Sequence, residues 1–278
     1  MKIGVFIESF RKPFDDALKT ASSLGAQGFQ MYATEYLKSS VSEKNELRNK
    51  IRDSGLEIAA FCGDMGHRMF YFPEEMQDVL DNQKRLCDLA YDFGVHVITS
   101  HIGVVPEDKN NKYYGVMYKV YKDLAEYAAN AKVRFAIETG PEKSVRLKSF
   151  LDDIDSKGAG VNLDPANLAM VQKENPVQAV YNLKDYIVHT HAKDGRWIKP
   201  TDSEALYIPD VLGIPRQERG HYQETPLGEG DVPWSNYLKA LKDIGYDGFL
   251  TIEREVGETP EKDIALAINS LKEHLKNI

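Results

Sequence analysis

The segment DYIVHTHAKDG (185–195) packs two histidines, a lysine and an aspartate into the end of a short apolar run. Residues two apart on a strand share a face, so Ile187, His189 and His191 point one way and Val188 and Thr190 the other. Two imidazoles there, taken alone, read as hydrogen-bonded core residues; three other runs shift the balance. AIETG ends in Glu138, NLDPANL carries Asp164, and TIERE carries Glu253. With Glu138, Asp164, His191 and Glu253 taken as inward, the outward neighbours are Phe135 and Ile137, Val161 and Leu163, Val188 and Thr190, Leu250 and Ile252. Those are mostly apolar, as surfaces covered by helices must be. The inward partners Ala136, Asn162, His189 and Thr251 are small or polar, and the same parity turns Glu8 inward. Three carboxylates and an imidazole at one point would repel unless a cation sat among them. Such a donor set suits a divalent ion with open positions, Mn²⁺, Mg²⁺ or Co²⁺, and suits Zn²⁺ less well.

Positioning four strand ends around one point requires a particular scaffold. Eight short apolar runs occur in order: 2–9, 28–33, 56–64, 95–103, 134–140, 159–168, 186–194 and 248–255. Helical patterns separate them. Ser40 with Glu43 reads as a capping box and Gly55 as that helix's stop. Pro73 opens a helix with Met76, Val79, Leu80, Leu86, Leu89, Ala90 and Phe93 on one stripe, and Pro260 opens the last, with Ile264, Ala267, Ile268, Leu271 and Leu275 inward. Eight strand-helix units predict a single (β/α)8 TIM barrel spanning 1–278, whose active site lies at the C-terminal ends of the strands. An open doubly wound sheet is the alternative; the absence of any linker favours closure.

The 278 residues are 42% hydrophobic and 28% charged, which suits a globular chain with a large core. A net charge of -8 gives no global reason to bind nucleic acid or an anionic membrane. Two cysteines, Cys62 and Cys87, are too few for a disulfide framework or a cysteine metal site. MKIGVFIES is too short in its apolar run to read as a signal peptide, and no apolar run approaches spanning length, so a cytoplasmic location is expected.

The set IETG, NLDPANL, HTHAKDG, PLGEGDVPW and YDGFLTIERE resembles the xylose isomerase-like TIM barrels, the sugar phosphate isomerase/epimerase group, along the whole chain and in matching order. Within that group the chain is similar to the metal-dependent ketose 3-epimerases. The resemblance implies that Glu138, Asp164, His191 and Glu253 hold one Mn²⁺ or Co²⁺ and that Glu138 and Glu253 also act as acid and base on opposite faces of a sugar. A proton α to a carbonyl is weakly acidic; a Lewis acid at the carbonyl stabilises the charge its removal leaves, and a carboxylate on each face allows inversion. The expected reaction is therefore isomerisation or epimerisation of a monosaccharide or sugar derivative. A metal-dependent lyase or hydrolase acting on a 3-oxo-glycoside uses the same proton abstraction and is the alternative. A sugar-binding barrel that has kept its metal is the non-catalytic one, and a glutamate for each face argues against it.

The chain departs from the ketose 3-epimerase pattern at three places. Asn167 stands where a histidine is usual, Ser144 where a second glutamate is usual with Glu142 nearby, and Trp197 where an arginine is usual with Arg196 adjacent. Expected substrate contacts are Glu8, His101, Asn167, Lys193 and Arg196. The AP endonucleases with three zinc ions belong to the same superfamily, and His101 and His221 in RGHYQETPLGEG would fit part of their site. Arg219 and Asn167 occupy two of the ligand positions, so a small-molecule sugar is the expected partner and nucleic acid is not. His67 and His96 read as structural or solvated. LGEGD (227–231) offers backbone N–H groups to substrate or forms an ordinary turn. The long connection 195–226 is a lid or binding loop, or else a homo-oligomer contact.

Overall fold

A computed structural model describes residues 1–66 and 70–278; His67 lies outside the described residues. The strands are β1 (Lys2–Phe6), β2 (Gly28–Tyr32), β3 (Glu57–Cys62), β4 (Val97–Ser100), β5 (Arg134–Glu138), β6 (Ala159–Leu163), β7 (Ile187–Ala192), β8 (Asp194–Trp197), β9 (Tyr222–Thr225) and β10 (Phe249–Ile252). The helices are α1 (Phe14–Leu24), α2 (Val41–Ser54), α3 (Pro73–Asp92), α4 (Lys112–Asn130), α5 (Ser144–Ile154), α6 (Pro165–Met170), α7 (Pro176–Asn182), α8 (Ser203–Tyr207), α9 (Pro209–Leu212), α10 (Trp234–Asp243) and α11 (Pro260–Lys276). Eight of the strands close into a parallel barrel in the order β1-β10-β7-β6-β5-β4-β3-β2, the expected (β/α)8 architecture. The remaining two, β8 and β9, form an antiparallel ribbon outside it.

Local chemistry sets the helix ends. Ser40 and Glu43 form the capping box, with the Ser40 side chain accepting from the Glu43 N–H and the Glu43 carboxylate accepting from the Ser40 N–H, and Gly55 ends α2 at φ 70°. In α11, Ile264, Ala267, Ile268 and Leu271 are buried against the barrel. Outward strand residues such as Phe135, Val161, Leu163 and Leu250 are fully buried beneath the helices, which is what the parity argument requires. Among the described residues, no helix is long and apolar enough to cross a membrane.

The first strand is shorter than the apolar run suggests. It ends at Phe6, and Ile7–Phe10 turns into a 3-10 helix closed by Arg11 at φ 54°. Glu8 therefore sits on that turn rather than on the strand, and Phe6 is the residue that faces the barrel mouth. The connection 195–226 contains the ribbon and the short helices α8 and α9, and it folds over the mouth.

Candidate metal centre and active site

Glu138 is the last residue of β5, Asp164 and Glu253 follow β6 and β10 directly, and His191 is the penultimate residue of β7. One donor atom from each of the four lies within 4.8 Å of every other, and all four side chains are buried. His191 Nδ1 is 3.5 Å from Glu138 Oε1, 3.5 Å from Asp164 Oδ2 and 3.4 Å from Glu253 Oε2. Neither His191 Nδ1 nor Asp164 Oδ2 has a hydrogen-bond partner, although both are buried. Buried polar atoms are normally paired. Two orphans aimed at one point beside two further carboxylates fit a bound cation. The burial of His191 disfavours its charged form, but Glu253, Glu138 and Asp164 outweigh that and hold the imidazole well above its usual range. Positive charge is favoured at this point, whether as a proton on Nδ1 or as a metal ion.

Each donor is held by its own neighbours. Asp164 caps α6, its Oδ1 accepting from Asn167 N at 2.9 Å, which leaves Oδ2 free. Thr139 Oγ1 accepts from Asp164 N at 2.8 Å and fixes the turn. Glu138 accepts from Asn162 Nδ2 at 3.1 Å and Asn167 Nδ2 at 3.2 Å. Lys193 Nζ donates to Glu253 Oε2 at 2.8 Å and also to Glu255, with Glu224 Oε2 at 3.8 Å. Burial opposes the charge on Lys193, and these glutamates more than restore it, raising its pKa well above the ordinary value.

Two of the four donors, Glu138 and Glu253, line a cavity of 650 Å³, a size ordinary for small-molecule sites, about 300–1,000 Å³. Its walls include Phe6, Tyr32, Asp64, His101, Asn167, Lys193 and, from the covering connection, Tyr207, Arg216, Arg219 and Tyr222. His101 Nδ1 lies 3.2 Å from Asp64 Oδ2, and its Nε2 lies 3.8 Å from Glu138 Oε1. Burial lowers the His101 pKa, yet Glu138 and Asp64 win and push it up to about 10. Tyr207 stacks on the His101 ring at 5.9 Å.

Of the expected substrate contacts, His101, Asn167 and Lys193 line this cavity. Glu8 and Arg196 do not: Glu8 Oε1 accepts from Tyr32 N at 3.0 Å, and Arg196 Nε donates to the Glu229 carbonyl at 2.6 Å. His96 is exposed, with Nδ1 3.3 Å from the Lys132 carbonyl. His221 Nδ1 bonds the Pro200 carbonyl. LGEGD behaves as an anchored turn. Asp194 accepts from the N–H groups of Gly195, Gly228 and Val232 and from Trp234 Nε1. Gly230 packs so closely that a Cβ there would lie 2.0 Å from Asp194 Oδ1.

The departures from the ketose 3-epimerase pattern have structural explanations. Ser144 is committed to Glu174, which accepts from its N–H and its hydroxyl at the start of α5. Trp197 carries Lys173 Nζ over its ring at 3.9 Å. Glu142 is buried outside the cavity wall, one oxygen accepting from Val105 N at 3.0 Å and the other without a partner. Burial pushes its pKa up to about 7 against the opposing Val105 N–H, Arg146 and His101. A carboxyl raised in this way costs nothing below its unfolded pKa near 4.5 and lowers stability as pH rises toward 7. Between pH 5 and pH 8 the wild type should therefore lose on the order of 2 kcal/mol more unfolding free energy than Glu142→Gln. Urea titrations of both proteins at the two pH values check this; equal losses would refute it.

Two residues of the site went unmarked in the sequence: Asp64, which lines the cavity, and Gln30, which bonds His191 without lining it. Asp64 ends the third apolar run two residues after inward Cys62, the same spacing signal used for the four donors. Gln30, a lone polar residue within GFQMYA, was the other available signal.

A closed parallel barrel with buried acidic and imidazole donors at its C-terminal mouth defines a class of proteins, and comparison identifies it. The model of the xylose isomerase-like TIM barrel family matches residues 18–274, and the chain belongs to that family. An uncharacterized protein of Methanocaldococcus jannaschii is 28% identical over 205 residues, which cover 67% of this chain and 59% of that protein, less than two thirds of its length. A xylose isomerase domain protein from Planctomyces limnophilus has a crystal structure with TM-score 0.81 and 28% identity, covering 100% of this chain and 97% of that one. D-psicose 3-epimerase from Clostridium cellulolyticum H10, solved with D-tagatose, has TM-score 0.75 over 99% of both chains. At 15% identity, that last likeness concerns the fold.

Proposed function

We propose that this chain is a divalent-metal-dependent isomerase or epimerase that moves a proton α to the carbonyl of a monosaccharide or sugar derivative. The observation that carries the reading is the convergence of Glu138, Asp164, His191 and Glu253 on one point, with two of the donor atoms buried and unpaired. The family and a structural neighbour that is a D-psicose 3-epimerase support a sugar as substrate.

Glu138, Asp164, His191 and Glu253 would hold the ion, Mn²⁺, Mg²⁺ or Co²⁺ by the hardness of the set. When bound it supplies Lewis acidity to a carbonyl oxygen. Everything else falls to the protein. Glu138 and Glu253 arise from strands three steps apart in the ring, along β10-β7-β6-β5, so their carboxylates reach a substrate from different sides. One takes the α-proton and the other returns one to the opposite face, which inverts the carbon. Asn162 and Asn167 hold Glu138, and Lys193 holds Glu253, so neither must reorganise to meet the substrate. His101, backed by Asp64, presents Nε2 beside Glu138 and is placed to bond a substrate hydroxyl or carbonyl oxygen. The connection bearing Tyr207 and Tyr222 covers the mouth and limits water.

Incubation of Mn²⁺-loaded protein with a panel of ketoses, aldoses and oxo-sugars in D₂O tests the reading. Incorporation of deuterium at carbon next to a carbonyl, in at least one sugar, is expected. If metal-loaded protein exchanges no carbon-bound proton across the panel, the enolisation reading fails. Incision of abasic DNA by the same preparation would favour a nuclease.

A further inference from the structure

A carbonyl deep in the barrel bears on the one nitrogen donor of the metal centre. Gln30, on β2, is fully buried, and its Oε1 lies 3.0 Å from His191 Nε2 and 3.1 Å from His189 Nε2. Its Nε2 donates to Thr99 Oγ1, on β4, at 2.9 Å. An amide oxygen only accepts, so each ring nitrogen facing it must carry a proton. With the His191 proton on Nε2, the Nδ1 lone pair is left free. Nδ1 is the unpaired atom that faces Glu138, Asp164 and Glu253. Asn162 Nδ2 is also 3.2 Å from His191 Nε2, and it donates to Glu138 Oε2 at 3.1 Å. Were the Gln30 amide reversed, its NH₂ would face both rings. The His191 proton would then move to Nδ1 and block metal ligation. In the orientation observed, the Gln30 NH₂ is turned away from the rings and donates to Thr99 Oγ1.

We propose that Gln30 is a positioning residue for the metal centre: through Oε1 it keeps His191 as the Nε2–H tautomer and so presents Nδ1 to the ion. His189 shares the same acceptor, which explains why a strand ending HTH places two imidazoles side by side while only one faces the donors. The inference rests on the metal-centre reading above, and the experiment separates the two.

The test measures Mn²⁺ affinity by the electron spin resonance of the free ion, and the His191 Nε2–H tautomer by ¹⁵N NMR of the ring in full-length protein loaded with diamagnetic Mg²⁺, so that no proton competes for Nδ1. Outer partners of a ligating histidine are typically worth about 10–100-fold in metal affinity. Gln30→Met removes the acceptor at similar shape and should weaken Mn²⁺ binding by about 10–100-fold, with loss of the Nε2–H signature. Gln30→Glu retains an acceptor and should keep both the tautomer and most of the affinity. Gln30→Leu, which also removes the acceptor, should move affinity and tautomer in the same direction as Gln30→Met; it decides alone if Gln30→Met does not fold. Unchanged affinity and tautomer in Gln30→Met, or in Gln30→Leu where that variant decides, overturn the proposal. A wild-type protein that binds no Mn²⁺ instead overturns the metal-centre reading on which it rests.

Discussion

Asp164→Ala should fold and yet lose its divalent ion. Asp164 has two jobs on its two oxygens: Oδ1 caps α6 through the Asn167 N–H, and Oδ2 is the buried, unpaired atom aimed at His191. Loss of an N-cap costs about 0.5–2 kcal/mol. The fold should therefore survive. Metal binding should not. One of four donors is gone, and the methyl left in its place cannot ligate. Since even outer partners are worth about 10–100-fold, Mn²⁺ affinity should fall by more than about 100-fold. Elemental analysis after gel filtration, paired with thermal melts with and without Mn²⁺, checks both halves. Wild-type metal content in Asp164→Ala would remove this residue from the centre.

The second large effect concerns the two proposed bases. Glu→Gln keeps the side chain's shape and one ligating oxygen, but removes the proton acceptor. Positioned acid-base groups contribute about 10²–10⁴-fold to rate, and turnover should fall by that much in Glu138→Gln and in Glu253→Gln. For an inverting enzyme the two should fail differently. The variant that lacks the returning group still abstracts from substrate, so it exchanges the proton with D₂O without forming epimer. The variant that lacks the abstracting group does neither, and the roles reverse when the reaction starts from product. Metal content measured in parallel separates lost ligation from lost base. Near wild-type epimer formation in both variants would transfer the proton to another group. His101 and Lys193, both lining the cavity, would be next to test.

The expected effects differ in size because the residues differ in how far their loss can be compensated. Glu142 changes stability modestly because its burial cost appears only when it ionises. Gln30 changes affinity because it touches the centre through one ring. Asp164, Glu138 and Glu253 supply atoms that nothing nearby can replace.

Some of this was legible in the residues alone. Period-two alternation in AIETG, NLDPANL, YIVHTHAKD and TIERE locates four strand ends, and the same alternation says which side chains share the barrel interior. Helix starts and stops were equally readable, as at Ser40, Glu43 and Gly55, because caps are satisfied by atoms within a turn of the chain. Closure into a barrel was expected from the repeat, and the ring of eight parallel strands bears it out.

Tertiary structure decided what depends on partners distant in sequence. Alternation along one strand cannot say that Gln30 meets His191 across 161 positions, nor that Asp64 backs His101. It cannot place Glu8 either: the turn at Ile7–Phe10 breaks the period that would have turned it inward, and the Tyr32 N–H claims its carboxylate. Asp194 and Arg196 carry charges that suit a mouth, yet one is consumed anchoring LGEGD and the other lies along the Glu229 carbonyl. Periodicity is a property of successive residues and is encoded locally. The partner that satisfies a buried polar atom is set by register between strands and by loops folding back, so it exists only once the barrel has closed.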